Sequence, residues 1–236
     1  MTKLLKNITT FFVLFLLSSC KQMPIQPAYS SDITEVELLE GKAILGRSLK
    51  QSELPEDDVL SISPEMALFV RENLGDTSNY FAKVSELSRS IFDKNKLGLV
   101  YDPLATYSAR GAFENSMGNC LSFSFLYYSL AKEIGLRVQF QEVHILPQWD
   151  LSEEELFVDS KHVNVRVNAA GDRDLVVDID AVSPDRQIDY TILDEEYAVS
   201  LYYGNKGAEF LMEDNIQEAF RYFVKAIRLD YNNSAH

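Results

Sequence analysis

Cysteine is almost missing from this chain: 236 residues hold two, Cys20 and Cys120. So few, so far apart, exclude a disulfide-stapled scaffold and offer no zinc-finger spacing. Histidine is as scarce, with three, and no clustered metal ligands appear. There is no glycine-rich phosphate loop and no cofactor fingerprint, so no cofactor is expected. Basic residues are in deficit, 22 Lys and Arg against 36 Asp and Glu, for a net charge of −14. A surface of that sign repels nucleic acid and anionic lipid headgroups, which removes both as partners by charge. The apolar run Phe11–Leu17 is too short to span a bilayer as a stable helix.

What is present is an ordinary globular composition, 46% hydrophobic and 25% charged, long enough for one good core or one domain and a small appendage. Residues 1–19 read as a signal peptide, with Lys3 and Lys6 before the apolar run. Removing them takes away two lysines and no acid, deepening the charge from −14 to −16. The run ends in Leu17-Ser18-Ser19-Cys20, which resembles the lipobox of bacterial lipoproteins. That resemblance implies cleavage before Cys20, lipidation of Cys20, and a lipid anchor in the cell envelope. Lys21 at the next position implies the outer membrane, facing the periplasm. With Cys20 acylated, Cys120 has no disulfide partner. Residues 20–34, with Pro24 and Pro27, then form a tether.

A helical platform follows. Helices are expected over Glu35–Leu49, from Ser63-Pro64-Glu65 to Leu74 with Gly75 as the stop, and over Ser78–Asp93 with Phe81, Val84, Leu87 and Ile91 on one face. Ser52–Ser63 reads as a linker. Leu97–Tyr101 is short, apolar and extended, and Thr106 is the expected cap of a brief helix over Ala109–Asn115.

The chain is organised around Gly118-Asn119-Cys120, which opens a helix. Phe123, Leu126, Leu130 and Ile134 mark one apolar face, and Gly135 ends it. Cys120 thus falls in the first turn, where free N–H groups and the macrodipole favour negative charge and stabilise a thiolate nucleophile. Beyond Gly135 the period becomes two. Arg137–His144 is a strand, and Ile145–Ser160 is a loop carrying Trp149, a candidate substrate contact or loop anchor. His162–Val167 alternates, with His, Asn and Arg on one face and three valines on the other. A turn over Asn168–Asp172 leads to a returning strand over Leu175–Asp180. The hairpin brings His162 opposite, or nearly opposite, Asp178 or Asp180. A thiol at a helix start, a histidine on a strand and an acid on its neighbour suit nucleophilic cysteine chemistry. His144, at a strand end, is read as structural or solvent-facing.

Gly118-Asn119-Cys120, His162 and Asp178, sixteen residues later, resemble the transglutaminase-like superfamily over roughly Ala105–Ala181. Gly118–Phe123, Gln141-Glu142-Val143, His162–Val165 and Val176-Val177-Asp178 are similar to a bacterial lipoprotein subgroup that continues into tetratricopeptide repeats. The resemblance implies an α+β, papain-like fold over residues 35–195, with a nucleophile helix packed on an antiparallel sheet. It implies Cys120 as nucleophile, His162 as general base and acid, and Asp178 as the orienting acid, with Asp180 the alternative on the same strand face. The Cys120 backbone N–H is the first oxyanion donor. Tyr203, Gly207, Phe210, Ala219, Phe223 and Ala226 resemble one tetratricopeptide repeat starting near Ser200, so residues 196–236 are expected to form a helical hairpin and a surface for a protein partner. Lys206 and Tyr231 depart from that pattern. The expected function is cysteine-dependent hydrolysis or acyl transfer on a peptide or protein amide through a thioester. The alternative is a membrane-tethered scaffold that uses the same fold without catalysis.

Overall fold

A computed structural model describes residues 34–74, 79–144, 162–169, 174–179 and 189–230. Cys20, Gly75, Ser78, Trp149, the Ile145–Ser160 loop, Asp180 and Tyr231 lie outside them. The fold is mixed α+β. In chain order the elements are α1 (Glu35–Leu39), α2 (Lys42–Leu45), α3 (Pro64–Leu74), α4 (Tyr80–Phe92), β1 (Val100–Tyr101), α5 (Ala109–Asn115), β2 (Met117–Gly118), α6 (Cys120–Glu133), β3 (Val138–Val143), β4 (His162–Val167), β5 (Leu175–Val177), β6 (Tyr190–Leu193), α7 (Glu195–Met212) and α8 (Ile216–Asp230). Among the described residues, no helix is long and apolar enough to cross a membrane.

The expected helix over Glu35–Leu49 is two short ones. Gly41, at φ 82°, and Gly46, at φ 68°, adopt the left-handed conformation and break it. The linker after it is stitched down rather than free. Leu54 and Val59 are buried, the Val59 carbonyl accepts the Ala109 N–H at 2.8 Å, and the Tyr203 hydroxyl accepts the Asp57 N–H at 2.8 Å. Helix α3 begins as expected, with the Ser63 hydroxyl accepting the Met66 N–H at 3.3 Å. In α4, Val84, Leu87 and Ile91 are buried but Phe81 is exposed, so the apolar face is narrower than its spacing suggested.

Helix α6 is the centre. Every residue from Leu121 to Ala131 is buried, so the helix has no solvent face, where one apolar face was expected. Gly135, at φ 75°, ends it as expected. On one side lies the four-stranded antiparallel sheet, in the order β5-β4-β3-β6. Phe140, Val165, Val177 and Leu193 are cross-strand partners on one sheet face, and all are buried. Tyr128 of α6 stacks on Phe140 with ring centroids 4.1 Å apart, and Phe125 meets the same ring edge-on at 5.6 Å. Strand β6, Tyr190–Leu193, was not foreseen; it is short and only Leu193 is buried, so it shows no clean period-two alternation.

The C-terminal helices α7 and α8 form an antiparallel-type hairpin against this body. Ala198, Tyr202 and Tyr203 belong to the same apolar core as α6, and Glu195 accepts the Tyr128 hydroxyl at 2.5 Å. Gly207 lets α8 approach: a Cβ there would sit 2.7 Å from a Phe223 ring carbon, whereas one at Gly204 would meet nothing within 4 Å. Replacing a helical glycine by alanine ordinarily stabilises by about 1 kcal/mol. Gly204→Ala should therefore raise stability by about that amount. Gly207→Ala should lower it, because crowding a packed interface costs ~1–3 kcal/mol. Urea unfolding of both variants checks the opposite signs.

Candidate active site

The site is built at the N-terminus of α6. Asn119 is its cap: the side-chain oxygen accepts the Ser122 N–H at 2.9 Å, and its amide donates to the Thr106 hydroxyl at 3.0 Å. The Asn119 N–H goes to the Ala105 carbonyl at 3.0 Å, and Ser122 Oγ accepts the Tyr107 N–H at 2.7 Å. Thr106 is therefore spent on holding the α6 cap. The brief helix α5 is capped by Ser108 instead, whose hydroxyl accepts the Gly111 N–H at 3.1 Å. The parallel pairing of β1 with β2 carries the Tyr101–Leu104 segment to the side of Cys120. Gly118 is required there, since a Cβ would lie 2.6 Å from Ser122 Cβ.

The buried hydroxyl of Ser124, one turn into α6, lies 2.8 Å from the Cys120 carbonyl and 3.0 Å from the Val163 carbonyl. This contact draws the start of β4 to the start of α6. His162, the first residue of β4, then stands beside the Cys120 thiol. Its Nε2 is 2.7 Å from Asp178 Oδ2. That leaves Nδ1 as the ring nitrogen for the thiol.

Two effects oppose each other at His162. Burial disfavours the imidazolium, but the hydrogen bond with Asp178, then that with Cys120, favour it more, and the two partners' charges add to this. The ring is pushed up to about 10 from an ordinary 6.5. The structure thus joins Cys120, His162 and Asp178. Continuing the β4–β5 register by one residue sets Asn164, not His162, directly opposite Asp178. His162 reaches the carboxylate along the diagonal.

Asn164 was not foreseen as part of the site. Its amide donates to the same Asp178 oxygen at 2.9 Å, and it is only 3% exposed. The usable signal was its place two residues from His162, on the same strand face. The polar face of β4 is covered at this point: Asn164 and its cross-strand partner Gln141 are both buried.

Cys120 opens into a cavity of ≈ 420 Å³. One wall is the Tyr101–Thr106 segment, and the other is a stripe of α7 through Leu201, Asn205, Ala208 and Met212. That stripe has helical spacing, but nothing in its local pattern says which body it faces. His144 is outside this group; its Nε2 is 2.8 Å from the Thr191 hydroxyl. Among the described residues, no group of three or more His, Cys, Asp or Glu is placed to hold a metal ion.

No family model, curated protein or solved structure matches the chain. The chemistry is therefore read from the site itself.

Because folding raises the affinity of His162 for a proton, the sign of the pH effect is fixed. Below about 6.5 both folded and unfolded chains carry the proton, and the stabilisation is complete. As pH rises toward about 10 the unfolded chain has lost the proton and the folded one must give it up, so the stabilisation fades. The stability difference between wild type and Asp178→Asn should be largest near pH 6 and shrink steadily to pH 10. Urea unfolding across that range checks it; a difference independent of pH contradicts it.

Proposed function

We propose that the protein is a cysteine-dependent amide hydrolase or acyltransferase with a transglutaminase-like, papain-like core, and that Cys120, His162 and Asp178 are its catalytic residues. The observation that carries this reading is one imidazole held between the Cys120 thiol and the Asp178 carboxylate, at the mouth of a helix. The packing of α6 on an antiparallel sheet supports the fold assignment. The close contact of Gly207 with Phe223 supports reading α7 and α8 as one tetratricopeptide-like repeat, a surface for a protein partner. The chain is placed in the bacterial envelope, anchored through lipid on Cys20 and facing the periplasm at the outer membrane. The motif at Leu17–Cys20 is the support for that placement.

The steps follow from the contacts. The Cys120 sulfur attacks the amide carbonyl as the thiolate, forming an S–C bond and placing negative charge on the carbonyl oxygen. The Cys120 N–H, at the first position of α6, has no acceptor among the described residues; its neighbour Ser122 is satisfied by the Asn119 cap. That free donor meets the oxyanion. His162 then gives its Nδ1 proton to the amide nitrogen, the C–N bond breaks, and the amine leaves a thioester on Cys120. Water or a second amine attacks that carbon, passes its proton back to His162, and releases the sulfur. Asp178 keeps the ring oriented through both halves, held in turn by Asn164.

Alkylation by iodoacetamide at pH 7.5, with the labelled residue located by peptide mass, tests the pairing. Cys120 should be modified in wild type. His162→Ala should slow that modification on the order of 10²-fold, and Asp178→Asn should slow it less. Unchanged labelling of Cys120 in a folded His162→Ala protein would falsify the reading.

A further inference from the structure

The proposed chemistry leaves the acyl group undefined, and the walls of the Cys120 cavity bear on it. At ≈ 420 Å³ the space falls within the ~300–1,000 Å³ of small-ligand sites. Most of its surface is carbon, from Tyr101, Leu104, Val163, Leu201, Ala208 and Met212. Three of these lie open to solvent, Leu104 at 70%, Met212 at 62% and Tyr101 at 49%. They come from both walls, the β1–α5 segment and α7, so the apolar surface brackets the thiol rather than flanking it.

Of the polar groups in the same walls, Thr106 and Glu209 are engaged with each other. Thr106 Oγ1 accepts from Asn119, and the Thr106 N–H donates to Glu209 Oε1 at 3.1 Å. The other Glu209 oxygen is 2.5 Å from Lys206 Nζ. Among the described residues of the lining, Glu209 is the one carboxylate and there is neither lysine nor arginine. An acidic group entering here would meet mostly carbon, the Glu209 carboxylate and a protein of net charge −14, with no lysine or arginine among the described lining residues to hold it. An uncharged apolar group would cover surface that water otherwise wets, at roughly 25 cal/mol per Å².

We propose that the acyl donor is a peptide amide whose carbonyl-side residue carries a large apolar side chain, seated between Leu104 and Met212. This rests on the catalytic reading above and names the substrate class of the same site. Leu104 and Met212 are then its specificity-determining residues, and α7 serves as one wall of the active site as well as part of the helical hairpin.

Peptidyl chloromethyl ketones test it on the full chain. The thiolate displaces chloride, forming one S–C bond per chloride released, and intact mass follows the rate. Probes ending in Leu, Phe, Lys and Glu are compared, each rate divided by the same protein's iodoacetamide rate to remove differences in thiol reactivity. In wild type the Leu and Phe probes should react at least about tenfold faster than the Glu probe. Leu104→Lys should raise the relative rate of the Glu probe, and Met212→Glu should raise that of the Lys probe. Both side chains are exposed, and thermal unfolding verifies that the variants remain folded. Equal rates across the panel in wild type overturn the proposal, as does an apolar preference that both substitutions leave untouched. If iodoacetamide labelling still depends on His162 while the panel is flat, the substrate class alone fails. If that dependence is also lost, the catalytic reading fails with it.

Discussion

Burying α6 on every side constrains the rest of the molecule, because a helix without a solvent face has to settle its polar termini inside the protein. At the N-terminus the settlement is the Asn119 cap and the Ala105–Tyr107 backbone, which meet Asn119 and Ser122 in a closed set of hydrogen bonds. These bonds fix Cys120 in the first turn of α6, with no acceptor for its N–H among the described residues. Ser124 then ties the same turn to β4. Helix burial, cap and strand placement are therefore one arrangement, and the sulfur–imidazole contact is its consequence.

The same constraint explains why the C-terminal hairpin is part of the body. Helix α7 adds to the cover of α6, where Tyr202 meets Phe125 edge-on with ring centroids 6.3 Å apart, and Ala198 and Tyr203 join the same apolar core. Once there, the next turns of α7 run past the N-terminus of α6 and line the cavity with Leu201, Asn205 and Met212. Glu209 fastens this wall by accepting the Thr106 N–H beside the cap. A change in how α7 sits is thereby coupled to the loop that holds the Asn119 cap.

Local pattern was enough to read α3, α5, α6 and the β4–β5 hairpin, since each is bounded by a capping side chain, a glycine or a clean alternation. It failed where tertiary contact decides. The segment after Glu35 has helical spacing, but Gly41 lies where a Cβ would press on Phe220 at 2.9 Å, and the chain turns instead. Thr106 and Ser108 are both plausible caps by type; only the demand of Asn119 for a partner assigns them. Among the candidate-site residues, Cys120 and His162 were legible because helix start and strand start are local signals, whereas the hairpin alone left Asp178 and Asp180 both open. Asn164 and the α7 wall were not legible, since their roles depend on cross-strand register and on which way a helix faces.

The central claim is that the Cys120-side imidazole is held as a cation by Asp178 well above the ordinary histidine range. Nitrogen-15 NMR of the labelled histidine rings, with His162 identified by its loss in His162→Ala, measures this directly. The account predicts two protonated ring nitrogens on His162 at pH 8 and a midpoint near 10. A neutral ring at pH 8, titrating near 6.5 as a free histidine does, would contradict it.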